Sequence, residues 1–226
     1  MTYDSDLNVT SIRRYGYLPI SQTMAQTGDI TSIGNGTLLR TEETDYLTNN
    51  PDYRNRNLIS LPTASRVKDG NDNIVAQSSI TYDEAAFPLL AYGSVAGWIN
   101  PGTTARGNAT TTSRWLNFNG STFSTFPNGS YVVTHAQYDQ CGSVRKMWDA
   151  RDTALSNPTQ IEYSHQFSYP TLNTSPDPDG GGPLLSLTAA TEYDVYTGLV
   201  TATIDANGQR TTFSYNDDPL NRLKGN

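Results

Sequence analysis

The feature that most constrains the fold is a four-residue turn, Asp205-Ala-Asn-Gly208, between two short runs of alternating residues. The run before it, 199–204, is rich in β-branched residues, and the run after it, 211–215, alternates at period two. Asn-Gly accepts the positive φ angles of a tight hairpin turn. Apolar residues spaced as on a helix face are missing from this stretch. The pattern therefore predicts two antiparallel strands joined by a tight turn.

The same layout occurs upstream, with alternating runs beside residues that favour turns. The predicted segments are strands 131–138 and 143–148 around the turn 139–142, strands 66–68 and 74–81 around the turn 69–73, and a strand within 7–15. A Tyr-Asp dipeptide accompanies these runs, beginning at Tyr3, Tyr82, Tyr138 and Tyr193. Asp45-Tyr46 and Asp52-Tyr53 have the reverse order and are left out of the repeat. One turn of helix is predicted at 149–155.

The order Tyr-Asp, Gly, Asp-x-Asn-Gly, Tyr, Arg-Leu resembles the Rhs/YD-repeat family. The residues that carry the resemblance are Tyr193, Asp194, Gly198, Asp205, Asn207, Gly208, Tyr215, Arg222 and Leu223 in the best unit, and Tyr138, Asp139, Gly142 and Asp149 in the second. Weaker matches surround Tyr3-Asp4 and Tyr82-Asp83. The chain departs from the family at Asn216, where Asp usually follows Tyr, and in the long spacing from Tyr215 to Arg222.

The resemblance implies an all-β fold, in which successive antiparallel β-hairpins form part of a spiralling β-shell with irregular loop insertions. Some shells of this family enclose a toxic cargo domain, and their repeats have no catalytic residues. We therefore predict a structural segment without enzymatic activity or cofactor, which encapsulates or displays a cargo or toxin domain absent from this chain. Its expected partners are neighbouring YD repeats of a larger parent chain and a toxin or effector cargo, and its expected location is secreted or at the cell surface.

These units and the stretches between them divide the chain into seven segments. They are YD-type hairpin units at 1–20, 61–84 and 131–174, the best-matching repeat at 191–226, an irregular insertion at 21–60, an irregular or β insertion at 85–130, and a Pro/Gly loop at 175–190. The chain starts at Met1-Thr-Tyr-Asp, inside a repeat, and stops soon after Arg222-Leu223. The Asp-Pro-x-Gly element that opens the family's conserved core is missing, because Leu220 follows Asp218-Pro219 and no Gly comes after it. We therefore expect a fragment of a longer protein.

Composition excludes several other classes of protein. A net charge of −7, from 22 acidic and 15 basic residues, argues against nucleic-acid binding, which needs a clustered basic face. Apolar stretches such as FPLLAYG are far shorter than the roughly 20 residues of a membrane span. No signal peptide is visible at the polar N-terminus. Hydrophobic residues make up only 35% of the chain, which predicts thin apolar layers rather than one thick core.

Other candidate sites have a structural alternative that we favour. The two histidines, His135 and His165, have no ligand partners at metal-site spacing, and a position on a strand face is the better prediction. Asp177 and Asp179 resemble a calcium loop but lack its bidentate acid, which favours a surface loop. The second hypothesis for function is a carbohydrate- or cell-surface-binding β module. On that hypothesis Trp98, Trp115 and Trp148 stack on a glycan; packing residues are the alternative.

Overall fold

A computed structural model describes residues 1–17, 36–91, 95–118, 120–215 and 223. Within these residues the chain forms 13 β-strands and one short helix. The strands are β1 Thr2–Tyr3, β2 Val9–Tyr15, β3 Leu38–Tyr46, β4 Pro62–Asp69, β5 Ile74–Tyr82, β6 Ala109–Leu116, β7 Ser130–Tyr138, β8 Val144–Trp148, β9 Thr159–Ser164, β10 Tyr169–Thr174, β11 Thr188–Tyr193, β12 Val200–Ile204 and β13 Arg210–Thr212. They lie in chain order in one antiparallel sheet, which confirms the prediction of an all-β fold.

The chain divides into two compact units. Unit 1 comprises Met1–Tyr82 and Thr111–Val133, and unit 2 comprises Asp83–Thr110 and Thr134–Asn226. Strands β6 and β7 contribute residues to both units. In this order each strand pairs with its neighbours in the sequence, so most of the pairing is between nearby segments.

Few hydrophobic side chains are fully buried in either unit. In unit 1, Trp115 packs edge-on against Phe126 with ring centroids 5.7 Å apart, and its indole N–H donates to the carbonyl oxygen of Asn128 at 2.9 Å. In unit 2, Phe87 stacks on His135 at 4.8 Å and packs against Trp148 at 5.6 Å. Trp115 and Trp148 are only 6% and 7% exposed. Large aromatic rings thus provide much of a small core.

Strand β3 lies inside 21–60, the stretch that the sequence predicted as irregular. Its sequence, LLRTEETDY, lacks apolar alternation because its acidic side chains pair with cations of neighbouring strands. These ion pairs are Arg14–Glu42, Lys68–Glu43 and Arg66–Asp45. A strand whose two faces both carry charged pairs has no apolar face for the sequence pattern to reveal.

The helix described is α1, Pro51–Arg54, and the sequence did not predict it. Pro51 lies in its first turn, and the Asn50 side chain caps it by accepting from the N–H of Asp52 at 3.0 Å. The helical turn predicted at 149–155 is wrong, because that stretch consists of hydrogen-bonded turns. There the Asp152 carboxylate accepts N–H groups of Ser156 and Asn157, and such side-chain bonds compete with a helix.

Candidate functional site

Four connections between strands share one hydrogen-bonded turn built on an aspartate. In each, the Asp Oδ1 atom accepts from the backbone N–H groups two and four residues later, at 2.9 to 3.0 Å. The Asp N–H group donates to the carbonyl oxygen four residues later, also at 2.9 to 3.0 Å. These turns, which we call the aspartate turns, begin at Asp4, Asp69, Asp139 and Asp205. A carboxylate can satisfy several N–H groups that a tight turn leaves without a backbone partner.

The third residue after each aspartate has a positive φ angle. These residues are Leu7, Asp72, Gly142 and Gly208, with φ of 65°, 67°, 88° and 78°. Glycine adopts this conformation without steric cost, whereas a side chain makes it unfavourable. Gly142 and Gly208 thus have a backbone reason to be glycine, and the turns at Asp4 and Asp69 manage without one.

The pKa of the aspartate falls in two of these turns. The Asn8 side chain donates to Asp4 at 2.9 Å, and the Asn73 side chain donates to Asp69 at 3.1 Å. These bonds, helped by the turn N–H groups, lower the pKa of each carboxyl from its usual 3.8. Hydrogen bonds to the charged form have this effect in general.

Asp194 and Asp83 make related corners of different length. Asp194 Oδ1 accepts from the N–H groups of Tyr196 and Thr197, and Gly198 follows with a φ angle of 73°. The Thr197 N–H group is the main cause that lowers the pKa of Asp194. Asp83 reaches much further along the chain. Its carboxylate accepts the N–H groups of three consecutive residues, Arg106, Gly107 and Asn108, at 2.7, 2.7 and 3.2 Å.

Tyrosines at the last position of three strands bind the first carbonyl group of the preceding strand. The hydroxyl groups of Tyr46, Tyr82 and Tyr138 donate to the carbonyl oxygens of Val9, Pro62 and Ala109 at 3.2, 2.8 and 3.1 Å. Burial raises the pKa of Tyr82 and of Tyr138, and the charge of Asp83 adds to the effect at Tyr138. Each such bond links two paired strands at the ends that lie opposite the connection between them.

A fourth tyrosine occupies the matching position in β11 with a different contact. Tyr193 ends β11, and its ring stacks on Tyr169, the first residue of β10, with centroids 4.9 Å apart and planes at 17°. The Tyr169 hydroxyl donates to the carbonyl oxygen of Val195 at 3.2 Å. A ring stack here replaces the hydroxyl contact of the other three strand ends.

Several of these tyrosines also follow a break in the strand register. The pairing with the next strand shifts immediately before Tyr3, Tyr15, Tyr46, Tyr138 and Tyr193. Such a bulge bends a strand and re-aims its side chains. Tyr46 shares both features although its dipeptide is reversed. Tyr46 was left out of the predicted repeat because Asp precedes it, and the strand that it ends has no alternating run to mark it in the sequence.

The residues of the sequence motif lie in separate local corners. Tyr138, Asp139 and Gly142 form one corner, Tyr193, Asp194 and Gly198 a second, and Asp205, Asn207 and Gly208 a third, in which the N–H of Asn207 donates to Asp205. Asp149 follows the far end of β8 and binds the N–H and guanidinium groups of Arg151. Tyr215 follows β13, Leu223 is 51% exposed, and Arg222 lies outside the described residues.

The corner at Asp139 differs in its electrostatics, because this carboxylate is completely buried. Its Oδ2 atom lies 3.7 Å from Nη1 of Arg145. Arg145 donates through Nε to the carbonyl oxygen of Ile161 at 2.8 Å and lies 5.7 Å from the ring centroid of Phe167. This arrangement pairs a buried charge with its opposite, as burial requires.

The remaining candidate sites have structural surroundings. His135 lies on β7 against Phe87. Asp177 and Asp179 accept backbone N–H groups from within their own loop. No group of three or more His, Cys, Asp or Glu residues in the described part of the chain has the geometry to hold a metal.

The three tryptophans of the glycan-binding hypothesis differ in burial. Trp115 and Trp148 are packed inside their units, as expected for packing residues, whereas Trp98 is half-buried. Among the described residues, no helix is long and apolar enough to cross a membrane.

No family model matches the chain, and no curated protein is significantly similar to it in sequence.

Proposed function

We propose that this chain is a structural, non-catalytic segment of a YD-repeat β-shell. On this proposal it belongs to a larger secreted or cell-surface protein and helps to enclose or display a cargo domain carried elsewhere in that protein. The observation that supports the proposal best is the recurrence of one corner chemistry. The aspartate turn appears at four connections, and a tyrosine that ends a strand binds the start of the preceding strand at three more places.

Repeated corners of the same kind are expected in a structural sheet that forms part of a shell, whereas an active site is a single cluster of reactive residues. Each of the four aspartate turns satisfies its own backbone groups with a side chain from the same short segment, so a further hairpin can be added without altering the others. Sheets that grow in chain order have stabilities that add over units and over the interfaces between neighbours. Their end strands keep unpaired N–H and C=O groups, which the next unit can pair.

The ion pairs across the sheet suit the same role. Arg66–Asp45 and Lys68–Glu43 join adjacent strands of unit 1 with N···O distances of 2.7 and 2.9 Å. Pairs of this kind, open at least in part to solvent, add little stability individually, but they favour one register between the strands.

The first test is to determine the DNA sequence on both sides of this reading frame. The proposal expects in-frame repeats with Tyr-Asp dipeptides and aspartate turns on at least one side, followed by a separate C-terminal domain. The parent protein is then treated with protease, and the C-terminal domain is expected to survive while it is enclosed.

The matched variants for that assay are Asp139→Ala, which breaks a buried corner, and Glu162→Ala, which changes an exposed acidic residue on β9. The first is expected to expose the cargo to protease, and the second is expected to leave it protected. Flanking sequence without such repeats, or a C-terminal domain that is cleaved equally in all three proteins, contradicts the proposal.

A further inference from the structure

Unit 2 contains a cavity of about 290 Å³ that the repeated corners do not explain. Its apolar wall includes Phe87, Pro88 and Leu89 from the segment after β5. Its polar lining includes Asp83, Glu84 and Asn108. A volume at the lower end of the range for ligand pockets fits a small molecule. Mostly apolar walls with a few fixed polar groups are typical of binding sites for such molecules.

The charge of the lining is one-sided. Two carboxylates, those of Asp83 and Glu84, line the cavity, and none of the described residues that line it is basic. A cation within such walls gains electrostatic energy in an environment of lower dielectric constant than water. An anion there would be repelled.

Both carboxylates are held in place by hydrogen bonds. Three consecutive backbone N–H groups fix Asp83, as described above. Glu84 accepts from the hydroxyl of Thr110 at 2.7 Å, and its own N–H donates to the same hydroxyl oxygen at 3.3 Å. Thr110 is only 2% exposed. Acids that are already positioned lose little conformational freedom when a ligand binds.

Asn108 places a second requirement on the ligand, which must offer a hydrogen-bond acceptor. Its backbone N–H is bound by Asp83, whereas its side-chain Nδ2 is buried without a hydrogen-bond partner. A buried donor without an acceptor costs free energy, and such groups call for an explanation. An ammonium group has no lone pair to accept this bond, but a hydroxyl oxygen does.

We propose that this cavity binds a small amino alcohol, a cation whose ammonium group lies near Asp83 and Glu84 and whose oxygen accepts from Asn108. The alkyl part of the ligand packs against Phe87 and Leu89, where an aromatic face also attracts a cation. Choline and ethanolamine have this chemistry. The proposal concerns the loop segments of unit 2 and is independent of a role in a shell.

The test uses isothermal titration calorimetry on the full chain with four probes. Choline is compared with 3,3-dimethyl-1-butanol, which has the same shape without the charge, and with tetramethylammonium, which has the charge without the oxygen. Ethanolamine is the fourth probe. We expect choline to bind at least about tenfold more tightly than either analogue, since each lacks one of the two interactions.

Two variants separate the interactions. Glu84→Gln keeps the shape and an acceptor for Thr110 but removes the charge, and it is expected to weaken choline binding about tenfold. Asn108→Leu is expected to weaken choline binding while leaving tetramethylammonium binding unchanged. Glu162→Gln, the same charge change at an exposed position of unit 2, is the control and is expected to bind choline as the original protein does. Thermal melts of all variants report whether they fold.

Several results would overturn the proposal. These are no heat of binding with choline or ethanolamine, equal affinity for choline and its neutral analogue, or unchanged choline binding in the folded Glu84→Gln variant. The comparison of choline with its two analogues needs no variant, so it decides the matter even where a substitution prevents folding.

Discussion

The aspartate turns at Asp69 and Asp139 have the same hydrogen bonds in different surroundings. In both, Oδ1 accepts from the N–H groups two and four residues later at 2.9 to 3.0 Å. Asp69 is half-buried and residues 70–73 after it are exposed, whereas Asp139 has no exposed area. The segment after β5 covers the second turn, where Leu90 accepts from the N–H of Gln140 and donates to the carbonyl oxygen of Tyr138.

The comparison separates two properties of one motif. The short sequence around the aspartate determines the path of the turn, because the bonds are the same with and without burial. The insertion that packs over the turn determines how much free energy the carboxylate contributes, because a buried group has no water to replace a lost partner. Substitutions at the two turns test this separation, and a substitution at Tyr138 measures the neighbouring strand-end contact; their expected effects decrease in the order below.

The largest effect is expected for Asp139→Ala. This change leaves the N–H groups of Cys141 and Ser143 without their acceptor and Arg145 without its carboxylate. Losing a buried charged acceptor of two N–H groups costs about 2 to 4 kcal/mol in the free energy of unfolding, which urea denaturation measures. Asp139→Asn keeps the shape and one acceptor and is expected to lose less. A loss below about 1 kcal/mol for Asp139→Ala would show that burial adds nothing to this turn.

A smaller loss is expected for Tyr138→Phe, which removes the hydroxyl bond to the carbonyl oxygen of Ala109. One hydrogen bond of this kind contributes about 1 kcal/mol to the free energy of unfolding. The control is Tyr131→Phe on the same strand, at a side chain that is 44% exposed, and its stability is expected to stay the same. Equal effects of the two changes in urea denaturation would contradict a special role for tyrosine at the strand end.

Asp69→Ala removes the same turn bonds as Asp139→Ala at an exposed turn. Water can then bind the N–H groups of Asn71 and Asn73, so we expect the melting temperature to fall by no more than about 2 °C. Differential scanning calorimetry measures this change. A fall as large as that of Asp139→Ala would mean that the turn itself, and not its cover, provides the stability.

The smallest effect concerns the pKa of Asp69. The hydrogen bond from the Asn73 side chain is the main cause that lowers this pKa, and the turn N–H groups lower it further. Asn73→Ala is expected to raise this pKa toward its usual 3.8, and Asn71→Ala, which keeps its backbone N–H, is expected to leave it unchanged. Carboxyl ¹³C NMR titration measures both. An unchanged pKa in Asn73→Ala would contradict the assigned hydrogen bond.

The lowered pKa of Asp69 also determines how its contribution to stability changes with pH. Since the folded protein holds the Asp69 pKa below its unfolded value, the contribution of Asp69 to stability is complete above the unfolded pKa. It is lost as the pH falls through the folded value. Stability that instead rises on acidification below the usual pKa would oppose the assignment.

The sequence predicted the features that depend on neighbouring residues. The turn at Asp205 and its flanking strands β12 and β13 lie close to the predicted positions, because Asn-Gly and β-branched runs act locally. Strand β3 escaped prediction because its side chains pair across both faces of the sheet. The turn between β9 and β10 was not predicted for a different reason. Its residues His165, Gln166 and Phe167 all have positive φ angles, and none of them favours this conformation as glycine does.

The sequence also could not predict the cavity in unit 2, because the residues that form it lie far apart along the chain. Asp83 binds backbone groups of Arg106, Gly107 and Asn108, more than 20 residues later. No short spacing joins these residues. The Tyr82-Asp83 dipeptide indicated a turn after the strand, but it did not indicate that the Asp83 carboxylate binds a loop far along the chain.

In each aspartate turn, one carboxylate oxygen accepts from the N–H groups two and four residues later. Amide hydrogen exchange by NMR reports on these bonds one amide at a time, in the original chain and in Asp69→Ala. We predict that the amides of Asn71 and Asn73 exchange at least about tenfold faster in the variant, while the matching amides Asn207 and Gln209 of another turn keep their protection. Equal exchange of Asn71 and Asn73 in the two proteins would contradict the claim.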